Sequence, residues 1–367
     1  MKAVKIAFLG FVSLSVSTCV EPYDYIYEDS SNPEIVIDGY LSDEEGIHEI
    51  RVARVTKLAD FNGVELDFVD NASVSVIDDD GNKIEFTYSD NGIYVSAPNV
   101  RAMPGKSYKV RVTLNDDRVY ESLYEQLPED QGKPIGLSYK LDSRDIIVNG
   151  TLEEEQGVTV EAEIIKEDNN RFYRWDINHY FIIEADEAPE FTLQNQRHEQ
   201  DTALRFCFIK DFVTQEVYLH EDISGVASGS YQQEIEYIRI SPKFEYVFVV
   251  EAKQLVMPRH AYNYWKEIKS LAQNSGGLFD SSPYSVSGNI KRVDAAADEE
   301  NEQLGFFGVY NASLDRKFIT QSSLGIYKEF APCQLPIEYT TPHPCEDCRL
   351  YEFLENYENN PPSWWVY

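Results

Sequence analysis

Polar and apolar residues alternate along much of the chain with the period of two that half-buried β-strands require. The clearest example is a pair of runs, Ala72–Ile77 and Lys83–Tyr88, on either side of the acidic sequence Asp78–Asn82. This arrangement predicts a β-hairpin. The carboxylates of the turn are candidate calcium ligands, but they lack the spacing of an EF-hand loop. We therefore interpret the sequence as a plain turn.

Further short runs recur between residues 34 and 128, with turn residues between them. They predict a β-sandwich of the immunoglobulin-like or transthyretin-like kind. Prolines and glycines at residues 128–136 indicate a linker. A second β-rich domain is expected at residues 137–332, with its first strands at Ile146–Leu152, Val158–Ile165 and Phe172–Ile183. The predicted fold class is therefore all-β, with two β-sandwich domains.

One segment departs from this period. Over residues 258–275, apolar residues follow helical spacing, and they form a stripe of Ala261, Tyr264, Trp265, Ile268, Leu271 and Ala272. Pro258 suits a first helical turn, and Gly276–Gly277 suits a C-terminal stop. We expect one amphipathic helix packed on a sheet of the second domain, the alternative being a groove that binds a partner.

The N-terminus resembles a bacterial lipoprotein leader. Residues 1–18 contain two lysines followed by an apolar run of about ten residues, which is too short to span a bilayer. The run ends at Cys19, where a lipid would be attached; an ordinary signal peptide is the alternative. Residues 19–33 are expected to be an acidic tether. Such a stretch resembles the signal that sends some outer-membrane lipoproteins to the cell surface, the alternative being a solvated spacer.

The charge of the chain is strongly negative. Lys and Arg number 32 and Asp and Glu number 64, which gives a net charge of −32. This charge repels nucleic acid and anionic head groups, so we expect neither as a partner, and we expect membrane attachment through the lipid alone.

Four cysteines remain besides Cys19. They are Cys207, Cys333, Cys345 and Cys348. An even number in an exported chain favours structural disulfides, and three connectivities are possible. Cys345 and Cys348 form a C-x-x-C sequence, for which a redox motif or half of a zinc site with His343 are the alternatives. The residues from 333 to 367 form a cysteine-rich tail ending in Trp364 and Trp365, which we expect either to dock on the core or to contact a partner.

No catalytic motif is present. The chain contains no G-x-S-x-G elbow, H-E-x-x-H pair, P-loop or dinucleotide-binding glycine pattern. Its six histidines are scattered, and His260 beside the helical stripe is interpreted as packed or solvated. We expect no catalytic residues, no metal, no cofactor and no enzymatic activity.

Several stretches together resemble one family. They are the leader with Cys19, Ile37–Leu41, the helix with Tyr262, Tyr264 and Trp265, Gly277–Asp280 with Pro283, Ser287–Ile290, Leu304–Phe307, Cys345–Arg349 and Pro361–Trp365. In this order they are similar to the domain-of-unknown-function lipoproteins of Bacteroidota, which are often encoded beside TonB-dependent outer-membrane receptors. Members tend to close with a Lys-Pro-Asp-Phe-Trp-like ending, for which Pro361–Trp365 stands here.

The resemblance implies a location and a partnership rather than a reaction. We expect a lipid-anchored protein of the outer membrane that acts as a non-enzymatic accessory or binding subunit of a TonB-dependent transport system. The alternative is a glycan-binding or adhesion module at the cell surface, because aromatic residues on β surfaces also stack on sugars.

Overall fold

The computed structural model describes residues 35–59, 63–128, 136–166, 171–186, 192–193, 196–197, 205–212, 217–222, 229–274, 286, 288–294, 305–331, 333, 343–350, 357–358 and 360–366. The predicted leader and tether, with Cys19, lie outside these residues. The fold is all-β, as predicted, with a single long helix in the described part.

The first nine strands lie between residues 35 and 126. They are β1 (Ile35–Ser42), β2 (Glu49–Ala59), β3 (Gly63–Phe68), β4 (Ser73–Asp78), β5 (Lys83–Tyr88), β6 (Ile93–Val95), β7 (Ser107–Thr113), β8 (Val119–Ser122) and β9 (Glu125–Gln126).

The remaining strands begin at residue 137. They are β10 (Leu137–Val148), β11 (Thr151–Lys166), β12 (Phe172–Glu184), β13 (Thr192–Leu193), β14 (Gln196–Arg197), β15 (Phe206–Phe212), β16 (Tyr218–Glu221), β17 (Gly229–Arg239), β18 (Val247–Met257), β19 (Ile290–Arg292), β20 (Phe307–Thr320) and β21 (Tyr357–Glu358). The helix α1 spans Arg259–Asn274, and short 3-10 helices lie at Pro242–Phe244 and Cys348–Leu350.

One continuous hydrogen-bonded sheet joins the N-terminal strands to the later ones. Its strand order is β19-β8-β7-β4-β5-β6-β2-β1-β20-β18-β12-β15-β21, with β3, β9 and β16 attached at its sides. β20 makes the junction, because it pairs in parallel with β1 and antiparallel with β18. Two late strands, β19 and β20, thus complete the N-terminal sheet. The predicted domain boundaries at residues 128 and 137 stay a prediction.

The N-terminal strands enclose their own apolar core. Side chains that alternate along β4 and β7 point into it, as the sequence pattern predicts, and Val74, Val76, Val110 and Val112 are at most 1% exposed. The predicted hairpin is present, with Val74 opposite Phe86. Its apolar residues therefore share one buried face.

A second core lies between two sheets. The three-stranded sheet β10-β11-β17 packs against β12 and β18 through Val158, Val160, Trp175, Phe248 and Val250. Phe248 stacks on Phe244 with ring centroids 4.3 Å apart. This packing gives the second region the sandwich-like layering that the sequence predicts.

β18 is covered on both of its faces. Its even-numbered apolar residues face the three-stranded sheet. On the other face, Leu255 and Met257 contact the helix end, and Val247 and Val249 contact the C-terminal tail. A strand covered on both sides needs a continuous apolar sequence, which explains why β18 shows little alternation.

The predicted helix is present and packs on this outer face. Ala261, Tyr262 and Tyr264 are buried, and Tyr262 contacts Phe172 of β12 with ring centroids 5.1 Å apart. Leu271, which the sequence placed on the apolar stripe, is 38% exposed instead. Tyr262, which helical spacing did not place on the apolar stripe, lies on the buried face of the helix.

One predicted strand was wrong. The sequence run Ile146–Leu152 is the tip of a hairpin rather than a strand, because Asn149 and Gly150 form a turn with φ angles of 50° and 80°. Val148 faces Thr151 across this turn. Asn-Gly is the preferred sequence for a two-residue hairpin turn, since both residues tolerate positive φ.

Candidate functional site

A cleft lies where the first strands meet the helix. Its volume is about 200 Å³. Its lining comes from six elements: Asp38, Gly39 and Tyr40 of β1, Glu49 and Arg51 of β2, Ile93 of β6, Arg174 of β12, Trp265 of α1 and Tyr310 of β20. Polar and aromatic groups from distant parts of the sequence thus converge on one small space, as in ligand sites.

Strand geometry places the charged groups. Asp38 and Tyr40 are two residues apart on β1, so both side chains point to the same face, and Arg174 lies on the outer face of β12. Gly39, between Asp38 and Tyr40, lets β1 and β2 approach closely, because a Cβ there would lie 2.7 Å from the carbonyl oxygen of Glu49.

A second glycine makes room for an aromatic wall. The ring of Tyr310 lies over Gly308, two residues earlier on β20, where a Cβ would come within 2.0 Å of the ring. Tyr310 is fully buried, and its ring centroid is 5.6 Å from that of Tyr40. Burial raises the pKa of both hydroxyls, so both stay protonated at neutral pH.

Asp38 is a half-buried carboxylate that lines this cleft. Burial raises its pKa above the ordinary value of 3.8, and the nearby charges of Arg174 and Arg51 partly oppose that rise. No described side chain makes a direct ion pair or side-chain hydrogen bond with Asp38. A backbone hydrogen bond at Gly39 and the charges of the two arginines therefore compensate its charge only in part, which costs free energy.

Arg174 is held rigidly by two neighbours. Its Nη2 lies 2.8 Å from Asp176 Oδ1, and its guanidinium lies 3.9 Å from the centroid of the Trp265 ring. The ion pair and the cation–π contact fix its position over the helix. The indole Nε1 of Trp265 is buried and lies near the Tyr310 hydroxyl, but without hydrogen-bond geometry.

Arg51 and Glu49 stand at the mouth of the cleft. Both side chains are exposed, and Arg51 has no direct ion-pair partner among the described residues. Of the charged lining groups, two are acidic and two are basic. The cleft therefore offers both signs of charge within one small volume.

Comparison with protein families places the chain. A family model described as "Domain of unknown function (DUF4249)" matches residues 20–316. The chain belongs to the DUF4249 family. This confirms the expectation of a domain-of-unknown-function family. The matched DUF4249 span contains every lining residue of the cleft and stops before Cys333 and the tryptophans of the tail.

Other comparisons add little to the DUF4249 assignment. A search of curated proteins found no match. The solved structure of trypsin-activated alpha-2-macroglobulin from Escherichia coli is similar at 13% identity, with a TM-score of 0.19. The similarity covers 62% of this chain and 14% of that chain. Because the score is so low, it supports no statement about fold or function.

The disulfide prediction is confirmed. Cys207 of β15 bonds to Cys348, and Cys333 bonds to Cys345. The two cysteines of the C-x-x-C sequence thus belong to different bridges. His343 lies close enough to Cys333 and Cys345 to share a metal with them, but both sulfurs are oxidised and are not thiolate ligands.

Trp364 and Trp365 of the tail are half-buried on the outer face of the sheet. The Trp364 ring lies 4.9 Å from Tyr180, and the Arg316 guanidinium lies 4.2 Å from the centroid of the Trp364 ring. Trp365 packs 5.5 Å from Phe208. The two side chains thus dock on the protein itself, and their role in partner contact stays a prediction.

Two carboxylates of the acidic turn form ion pairs within the protein. Lys106 Nζ lies 2.7 Å from Asp78 Oδ2 and 2.8 Å from Asp80 Oδ2. Asp78 also accepts hydrogen bonds from the backbone N–H groups of Asp80 and Asn82. Its hydrogen bonds to Asn82 and Lys106 lower the pKa of Asp78 to about 2. These contacts explain the acidic residues as parts of a turn.

Two buried acids pair with histidines outside the cleft. His179 Nε2 lies 2.9 Å from Glu236 Oε2 inside the second core. His260 Nε2 lies 2.6 Å from Glu125 Oε2, and Asn289 donates to the other oxygen of Glu125 at 2.9 Å. His260 is thus partly packed, and its partner ties the helix to β9.

The charged residues of the cleft were not recognised as a site from the sequence. Asp38, Arg51 and Arg174 were not singled out, although each is a charged residue within a β-strand. A charge inside an apolar strand was the available signal: Asp38 follows Ile35–Ile37, and Arg174 lies between Tyr173 and Trp175. Within the described residues, no helix is long and apolar enough to cross a bilayer.

Proposed function

We propose that this protein is a non-enzymatic binding subunit of a TonB-dependent transport system, attached to the outer membrane by lipid on Cys19. The cleft formed by β1, β2, β12, β20 and α1 carries the proposal. It is lined by the fixed charge of Arg174 and by the hydroxyl groups of Tyr40 and Tyr310. Charged groups and hydroxyls of this kind can bind a ligand.

The geometry of the cleft suits recognition of a ligand. Arg174 is immobilised by Asp176 and Trp265, and the ring of Tyr310 is fixed over Gly308. Preorganised groups of this kind lower the conformational entropy that the protein loses when a ligand binds.

The location and the partner are inferred from the sequence. The leader ending at Cys19 supports a lipid anchor. The resemblance to Bacteroidota lipoproteins encoded beside TonB-dependent receptors supports the transporter as partner. The net charge of −32 would repel anionic lipid and nucleic acid, which leaves a protein partner and a small ligand as the favoured contacts.

Membrane fractionation and co-purification test this proposal. The tagged protein, expressed at its native level and extracted in mild detergent, should bring down an outer-membrane receptor. Cys19→Ala should release the protein from the membrane fraction, whereas Cys333→Ala serves as a matched cysteine control that keeps the anchor. Recovery of the wild-type protein alone, or continued membrane attachment of Cys19→Ala, would count against the proposal.

Glycan binding or adhesion at the cell surface remains the alternative function. Within the cleft, one face of the Trp265 ring is covered by the Arg174 guanidinium at 3.9 Å. That contact leaves less aromatic surface for stacking on a sugar. A glycan array distinguishes the two functions, since strong glycan binding without a co-purified receptor would favour adhesion.

A further inference from the structure

The cleft contains opposite charges that lack direct partners. Both Asp38 and Arg51 line the cleft, and Asp38 is half-buried whereas Arg51 is exposed. Among the described side chains, neither makes a direct ion pair, whereas Arg174 is satisfied by Asp176 at 2.8 Å. One negative and one positive group are thus available to a ligand.

The balance of charge narrows the class of ligand. Asp38 and Glu49 offset Arg51 and Arg174 around the cleft. A net anion would meet the two carboxylates, and a metal cation would meet the two guanidinium groups. A ligand with no net charge but with both charges present pairs with Asp38 and Arg51 together, while Arg174 keeps its ion pair with Asp176.

The size of the cleft restricts the class of ligand further. Its volume of about 200 Å³ lies below the roughly 300–1,000 Å³ that is usual for drug-sized ligands. Tyr40, Tyr310 and Ile93 supply aromatic and apolar walls. Aromatic faces beside a carboxylate favour an ammonium group, and a guanidinium favours a carboxylate.

We propose that this cleft binds a free α-amino acid, with its ammonium group at Asp38 and its carboxylate at Arg51. This assignment rests on the proposed binding function, and it names the class of ligand for the same site.

Calorimetric titration tests the assignment on the full chain carrying Cys19→Ala. Each free L-α-amino acid is titrated singly, and any that binds is compared with its N-acetyl and amide derivatives. Removing either charge should weaken binding by about ten- to hundredfold, because each lost contact is a charge-assisted hydrogen bond. Equal binding of the blocked derivatives, or no binding of any amino acid, would overturn the assignment.

Matched variants test the orientation. Asp38→Asn should weaken binding of the amino acid but leave that of its N-acetyl derivative unchanged, and Arg51→Gln should do the same for the amide derivative. Arg54→Gln is the control, because Arg54 lies on the same strand and pairs with Asp67 at 3.1 Å. Loss of binding in Arg54→Gln equal to that in Arg51→Gln would contradict the assignment.

The two proposals can fail separately. If the receptor co-purifies but no amino acid binds, the ligand assignment is wrong and the accessory function stands. If amino acids bind as predicted but no receptor co-purifies, the cleft assignment stands and the transport role is wrong. The derivative series does not depend on the folding of any cleft variant, so it gives a result in either case.

Discussion

Removal of the Cys207–Cys348 bridge should be the most costly change to the disulfide framework. The two cysteines are 141 residues apart, whereas Cys333 and Cys345 are 12 apart. In the chain-entropy account, closing the long loop stabilises the protein by roughly 5 kcal/mol and closing the short loop by about 3 kcal/mol. Cys207 and Cys348 are also fully buried in the second core.

The prediction is therefore a difference between two double variants. Cys207→Ala with Cys348→Ala should lose about 2 kcal/mol more unfolding free energy than Cys333→Ala with Cys345→Ala. Native stabilities are commonly about 5–15 kcal/mol, so the first variant should lie close to the limit of folding. Alanine is used at all four sites so that neither variant buries a new hydroxyl.

Equilibrium urea unfolding measures this difference, with the intrinsic fluorescence of the four tryptophans as one probe and far-UV circular dichroism as the second. Both variants carry Cys19→Ala to remove the anchor. Coincident transitions from the two probes are needed before the free energies are compared. Equal losses in the two double variants, or a larger loss for the short loop, would refute the loop-length reasoning.

Three further changes have outcomes that the structure predicts. Burial raises the folded-state pKa of Asp38 above 3.8, so ionisation of this carboxyl lowers the stability of the folded protein. The loss of stability is absent below the unfolded-state pKa and complete above the folded-state pKa. Asp38→Asn should therefore raise the melting temperature at pH 7, with the gain disappearing toward about pH 4; a constant gain across that range would contradict the cause. The hydrogen bond from His260 to Glu125 raises the pKa of His260 above 6.5, so its stabilisation is present below pH 6.5 and lost as the pH rises through the folded pKa. His260 is 59% exposed, so His260→Gln should lower stability by less than about 1 kcal/mol in urea titrations at acidic pH, with no difference at alkaline pH. Gly308→Ala should cost about 1–3 kcal/mol, since its Cβ would meet the Tyr310 ring at 2.0 Å; an unchanged urea midpoint would mean that the ring is free to move.

Local sequence patterns correctly predicted those secondary-structure elements that depend on neighbouring residues. Alternation identified the β4–β5 hairpin, and helical spacing identified α1 to within one residue at each end. Cysteine parity predicted two bridges but could not choose the pairing, because pairing depends on which segments the fold brings together. The Asn149–Gly150 turn also has a local sequence signal. The prediction missed it because the apolar residues on both sides were assigned to a single strand.

The junction and the cleft depend on long-range contacts. β20 pairs with β1 although the two strands are far apart in the sequence, and a local pattern cannot predict such a pairing. Asp38, Arg174 and Tyr310 likewise come from three strands that are distant in sequence. The charged residues were visible within apolar strands, but their convergence was not. Their function could be recognised only after the sheet order had placed them around one space.

Quantitative mass spectrometry of the native complex tests the central claim most directly. The tagged wild-type protein, expressed from its own promoter and purified from detergent-solubilised membranes, should carry one TonB-dependent outer-membrane receptor at near-equimolar amounts, and Cys19→Ala should lose it or retain much less. Wild-type protein that purifies without any outer-membrane receptor would contradict the account.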